Sequence, residues 1–171
     1  MLLITGPVGV GKTSTAAAAS GLLAERGILH AWVDLPQVGQ AFPERDDDPW
    51  NEELAHRNLA AMWQNFHAVG AERLIVTRVL EARSLVRRIE RAVPGAQVVV
   101  VRLRAPLDVI RSRIRARDHE PEWFLAAAER LAPAMDEDPV EDHLVDNSSS
   151  SIVETAGAVL AAVGWLATGS S

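Results

Sequence analysis

The stretch MLLITGPVGVGKTSTAAAASG, Met1–Gly21, decides how the rest of the chain is read. It opens on a short continuous apolar run, MLLIT, as a strand buried on both faces requires. Gly6, Gly9 and Gly11 follow in close order. From Thr13 the alanine-rich text reads as a helix as far as Arg26, with Gly27 in the stop position. Strand, glycine-rich turn and helix in that order bring backbone N–H groups and the positive end of a helix to one point. Lys12 stands at that point. Among 17 Lys and Arg residues it is the only lysine.

Gly6-x-x-x-x-Gly11-Lys12-Thr13 is the phosphate-loop (P-loop) pattern in the context that gives it meaning. In the loop Gly6, Pro7, Val8, Gly9, Val10 and Gly11, the N–H groups of every residue but Pro7 can converge on an anion, and only where side chains leave room. Lys12 brings a compact charge to the outer phosphates, in a slot too narrow for a planar guanidinium. The Thr13 hydroxyl is placed to ligate Mg²⁺, and Ser14 beside it is a further expected nucleotide-binding residue. The expected ligands are ATP and Mg²⁺.

Length and composition bound the rest. A chain of 171 residues suits a single domain spanning 1–171. The net charge of −6 argues against nucleic acid as the main partner. No cysteine is present, which removes disulfides, thiolate nucleophiles and Cys-held zinc. The five histidines show no i, i+4 pair that would suggest a metal site. No basic leader precedes an apolar segment, and the longest apolar run, near Ala156–Ala167, falls short of the roughly 20 residues of a membrane span. The expected location is therefore cytoplasmic, with no membrane contact.

Strands are expected at Ile28–Leu35, Arg73–Leu80, Gln97–Leu103 and His143–Asp146. Helices are expected at Trp50–Val69, Glu81–Val93, about Pro106–Arg117, Phe124–Leu131 and from Ile152 onward, while Pro36–Pro49 reads as irregular and acidic. This alternation implies βαβ units, with a parallel sheet covered by helices on both faces.

The text VVRLRAPLDVIRSRIRAR, Val100–Arg117, resembles the small P-loop kinases of the gluconate kinase, shikimate kinase, chloramphenicol phosphotransferase and adenylyl-sulfate kinase type. The resemblance implies a three-layer α/β fold with five parallel strands in the order 2-3-1-4-5 and a short lid, here about 117–130. It also implies that Arg113 lies beside the adenine and that Arg117 acts on the phosphates from the lid's edge, with His119 a weaker candidate. Arg111 and Arg115 read as solvated. The segment DHLVDNSSSSIVETA resembles the family's last strand and loop, so Asp146, Asn147 and Ser148 would border the base; the same residues also suit helix capping.

In that family an acid ending strand two meets the acceptor hydroxyl, or Mg²⁺ through water. Asp34 in WVDLPQ holds that place, and at the carboxyl end of a parallel strand it lies where such sheets bind ligands. It would orient and deprotonate the attacking hydroxyl. Some relatives carry a second acid where Pro36 stands, and strand three ends on Thr77 and Arg78 instead of an acid. The acceptor pocket is expected within about 36–69. Arg57 and Arg78 are its candidate substrate-binding residues, and Trp32, Trp50 and Trp63 are candidates for pocket or core. The run ERDDDP reads as a solvated rim.

The expectation is an ATP-dependent kinase acting on a hydroxyl of a small sugar-like or antibiotic-like acceptor, with Lys12, Asp34 and Arg117 as catalytic residues. An ATP/ADP-binding switch and a nucleoside monophosphate kinase are the alternatives. The oligomeric expectation is a monomer or homodimer.

Overall fold

The computed structural model describes residues 1–43, 46–48, 50–117 and 121–166. Five strands, β1 (Leu2–Thr5), β2 (His30–Asp34), β3 (Arg73–Thr77), β4 (Val99–Arg104) and β5 (His143–Asp146), form one parallel sheet in the order β2-β3-β1-β4-β5. This is the predicted order. The period-two alternation of the strands divides the core. Leu2, Ile4, Ile75, Val101 and Leu103 face one layer, with α1 (Lys12–Ala24), α5 (Leu107–Arg117) and α7 (Ile152–Ala162) packed on it. Leu3, Leu74, Val76 and Val100 face the other, covered by α3 (Glu52–Ala68) and α4 (Arg83–Ala92). Ile110 and Ile114 of α5 are fully buried, as their spacing predicts.

Three elements differ from the expectation. Leu35–Val38 forms a one-turn helix, α2, inside the segment read as irregular; Pro36 sits in its first turn, where a missing N–H costs nothing. Helix α3 begins at Glu52, not Trp50, because the Asp48 carboxylate accepts from the Glu52 and Glu53 amides at 2.7 and 3.0 Å. Helix α6 (Glu122–Glu137) outruns the expected Phe124–Leu131 and carries Pro133 inside it. Ala128, Leu131 and Met135 bury one stripe of α6, while Pro133 lies on the exposed side, where water can serve the carbonyl it leaves unpaired.

On the far side of the sheet centre, Arg102 of β4 is buried and bonded to Glu141 at 2.9 Å and Asp136 at 2.8 Å. Arg111 of α5 bonds Glu129 of α6 at 2.7 Å and so joins those helices as a hairpin. Among the described residues, no helix is long and apolar enough to cross a membrane.

Candidate active site

The carboxyl ends of β1, β2 and β3 meet where the strand order reverses on either side of β1, and the loop after β1 runs through that crevice. Gly6 has φ +137°, and a Cβ there would lie 2.5 Å from the Leu103 carbonyl oxygen, so only glycine lets the loop leave β1 this close to β4. Gly9, at φ +81°, rests on Ile114: a Cβ would sit 2.6 Å from its Cγ1. The buried stripe of α5 thus fixes the shape of the loop.

Lys12 Nζ donates to the carbonyls of Gly6 at 2.9 Å and Pro7 at 3.0 Å. Burial lowers its ammonium to about 8; the Asp34 carboxylate opposes this shift and the Arg117 charge adds to it. Thr13 Oγ1 donates to Asp34 Oδ2 at 3.0 Å. Asp34 pairs in backbone register with Thr77, and the Thr77 hydroxyl is buried with no hydrogen-bond partner among the described residues. The Thr13 hydroxyl at the start of α1, the Asp34 carboxylate at the end of β2 and the Thr77 hydroxyl at the end of β3 are hard oxygen donors, a set that fits Mg²⁺.

Behind the loop, Asn147 ties three elements together. Its Nδ2 donates to the Val10 carbonyl at 2.6 Å, its Oδ1 accepts from Thr155 Oγ1 at 3.0 Å, and its amide bonds Arg104 O at 2.7 Å. Arg113 donates to the carbonyls of Val10 at 3.2 Å and Asn147 at 2.8 Å. Arg117 sits with its guanidinium 5.7 Å from the Phe124 ring centre. Arg113, Arg117, Asn147, Ser150 and Ile152 line a cleft of about 270 Å³ that Gly9, Gly11, Ser14 and Thr15 close from the loop side. Asp146 and Ser148 are not among its residues. Ser148 donates its amide (2.9 Å) and its hydroxyl to the Asp146 carboxylate, which holds that carboxyl below its ordinary range. Capping of α7 falls to Ser151, in a reciprocal pair with Glu154.

A second cavity, of about 520 Å³, opens on the other side of the loop. Val8 and Pro36 form its edge toward the crevice. Phe42, Trp50 and Glu52 line it from the α2–α3 side of the chain, and Trp123, Ala127 and Arg130 line it from α6. Arg78 lies within it, bound to Glu52, and Arg130 Nη1 donates to Glu81 Oε2 at 2.6 Å.

Of the expected acceptor residues, then, Arg78 and Trp50 are brought to this cavity. Asp34 lies next to the phosphate loop, two residues before Pro36. Arg57 is placed elsewhere, in a cleft between α3 and α4 with His56, Arg88 and Arg91. Trp32 packs on the core, and Trp63 stacks on His67 with ring centres 5.4 Å apart. His119, with Asp118 and Glu120, and Glu44, Arg45 and Pro49 of the acidic run lie outside the described residues. Sequence reasoning passed over Glu52, Glu81, Phe42, Trp123 and Arg130. The pairs Glu52–Arg78 and Glu81–Arg130 span 26 and 49 residues, and nothing local announces them. Trp123, Ala127 and Arg130 do recur at helical spacing and were legible in principle.

Residues 2–131 match the family model of the AAA domain. Solved structures with the same fold include the tunicamycin resistance protein of Deinococcus radiodurans, 24% identical with 96% of each chain covered and a TM-score of 0.68. The APS kinase of Mycobacterium tuberculosis, solved in complex with AMPPNP and APS, is 20% identical with 95% of each chain covered and a TM-score of 0.63. A gluconokinase from Sinorhizobium meliloti 1021 is 19% identical over 95% of this chain and 91% of its own, with a TM-score of 0.57. No curated protein sequence matches the chain. The solved structures bear on the fold, which is that of the P-loop kinases.

Proposed function

The chain belongs to the AAA-domain family, and from that premise we propose that it is an ATP-dependent phosphotransferase acting on a hydroxyl of a small molecule. The observation that carries the reading is the pair of clefts flanking one phosphate loop: a nucleotide cleft beside Arg113 and Asn147, and a separate cavity edged by Val8. A protein that only bound or hydrolysed nucleotide would need the first alone.

The loop amides and Lys12 hold the phosphate chain, with Lys12 exchanging the Gly6 and Pro7 carbonyls for phosphate oxygens. Thr13 would hold Mg²⁺ directly and Asp34 through water, which leaves the carboxylate able to accept a proton; the Thr77 hydroxyl stands at the neighbouring strand end, and Mg²⁺ when bound withdraws charge from the phosphate oxygens. The acceptor hydroxyl oxygen attacks the γ-phosphorus, the bond to the β–γ bridging oxygen breaks, and ADP leaves. Asp34, two residues from the cavity edge at Pro36, takes the hydroxyl proton. Arg113 and Arg117 border the nucleotide, Arg117 close enough to depress the Lys12 ammonium and so to share the load of phosphate charge.

The test is ADP release by the full chain with ATP and Mg²⁺ across a panel of hydroxylated small molecules. Acceptor-dependent ADP is the expected result. ATP binding by calorimetry with no acceptor-dependent ADP anywhere in the panel would leave a nucleotide-binding switch instead.

A further inference from the structure

We propose that the acceptor is an uncharged molecule with a flat aromatic or sugar face, gripped by Phe42, Trp50 and Trp123; this rests on the phosphotransferase reading of the site. These three rings are 77%, 72% and 62% exposed, yet all three line the same cavity. Apolar surface of that size gathered in one concave place is costly in water and marks a binding site. Three rings in one cavity, Phe42 and Trp50 from the α2–α3 segment and Trp123 from α6, suit a planar group or the C–H face of a sugar ring.

The charges of the cavity point the same way. Its described charged residues are Glu52, Arg78, Glu81 and Arg130, and they cancel. They also cancel pairwise: Arg78 is bound to Glu52, and Arg130 to Glu81. A carboxylate, phosphate or sulfate on the acceptor would meet each arginine with a glutamate already on it: Arg78 holds Glu52 through Nη2, and Arg130 holds Glu81. The anion would lie beside that carboxylate, an arrangement of like charges that works against binding. A cation meets the same obstacle from the arginines. The polar groups that remain serve hydroxyls and amides, and the adjoining edge at Val8 puts the bound molecule next to the phosphate loop. The Glu52–Arg78 pair therefore sets specificity: it keeps an arginine in the acceptor site with a carboxylate beside it that repels anions.

The experiment uses the full chain with a non-hydrolysable ATP analogue and Mg²⁺, and calorimetry on two matched pairs of probes: p-nitrophenyl glucoside against p-nitrophenyl glucuronide, and uridine against uridine monophosphate. The neutral member of each pair should bind at least about tenfold more tightly. Trp50→Ala and Trp123→Ala should each weaken the neutral probes by about tenfold or more, with affinity for the ATP analogue within about twofold of the parent. Glu52→Gln frees Arg78 and should shift the ratio toward the charged probes by about tenfold. Glu81→Gln, at the more exposed pair, should move it in the same direction should the first variant fail to fold. Equal or tighter binding of the charged members to the parent chain overturns the proposal. So does binding of the ATP analogue with none of the probes, or neutral binding indifferent to both tryptophans. Failure of the ATP analogue itself to bind would overturn the phosphotransferase reading instead.

Discussion

Thr13 Oγ1 and Asp34 Oδ2, 3.0 Å apart, tie the first turn of α1 to the end of β2. The hydroxyl and the carboxylate act as one unit, and each holds the other toward the place where a phosphate-bound cation would sit. Asp34→Asn preserves an oxygen for the Thr13 hydroxyl but removes the charge and the proton acceptor. Acceptor-dependent ADP release should fall about a hundredfold or more, with ATP affinity by calorimetry within about threefold of the parent. Retained turnover would remove Asp34 from the chemistry.

Lys12 offers a test through protons. Its ammonium is lowered by burial to about 8, against 10.5 for an ordinary lysine. A polyphosphate laid on it restores the charged form, so binding at pH 8 should take up about half a proton, and less as the pH falls toward 7. Calorimetry of ATP in two buffers of different ionisation enthalpy measures this uptake, and Lys12→Met should abolish it. For the free protein the sign runs the other way. The unfolded chain holds the Lys12 proton between pH 8 and about 10.5 and the folded chain releases it, so this group's contribution to stability rises with pH across that window.

Asn147 is named by the sequence as a neighbour of the base, and its bonds make it a fastener as well. Asn147→Ala leaves the Thr155 hydroxyl with one bond fewer and deprives the Val10 carbonyl of its 2.6 Å donor. Urea denaturation should show a loss of about 1–3 kcal/mol. Because the fastening holds the phosphate loop, ATP affinity should fall with it. Thr155→Val should give a smaller loss with the same sign.

Gly6 makes a sharper demand. An alanine there would adopt φ +137° with its Cβ 2.5 Å from Leu103 O, and backbone cannot step aside as a side chain can. Gly6→Ala should lower the denaturation midpoint by the equivalent of about 1–3 kcal/mol and abolish ATP binding that calorimetry detects in the parent.

The parallel sheet was legible because each strand is a short apolar run separated from the next by a helical stretch, while its strand order came from the resemblance to the P-loop kinases. The phosphate loop was legible because its chemistry is written in contiguous residues. The acceptor side was not, for reasons particular residues make plain. Arg57 and Arg78 look alike in the text, yet α3 turns Arg57 toward α4, and only Arg78 reaches the cavity. Arg78 in turn looks free until Glu52, 26 residues earlier, closes on it. Helix α3 starts where Asp48 caps it, and that cap is what brings Glu52 to the first turn. Helix α6 runs beyond the expected Leu131 to Glu137 because the buried stripe through Met135 outweighs the proline at 133.

The hairpin closed by Arg111 and Glu129 has one more consequence. One of its limbs carries Arg113 and Arg117 at the cleft proposed for the nucleotide, and the other carries Trp123 and Arg130 at the cavity proposed for the acceptor. In the proposed reaction both substrates would thus bear on one pair of joined helices. The two substrates should therefore bind cooperatively, each sparing the other part of the entropy of ordering a shared lever.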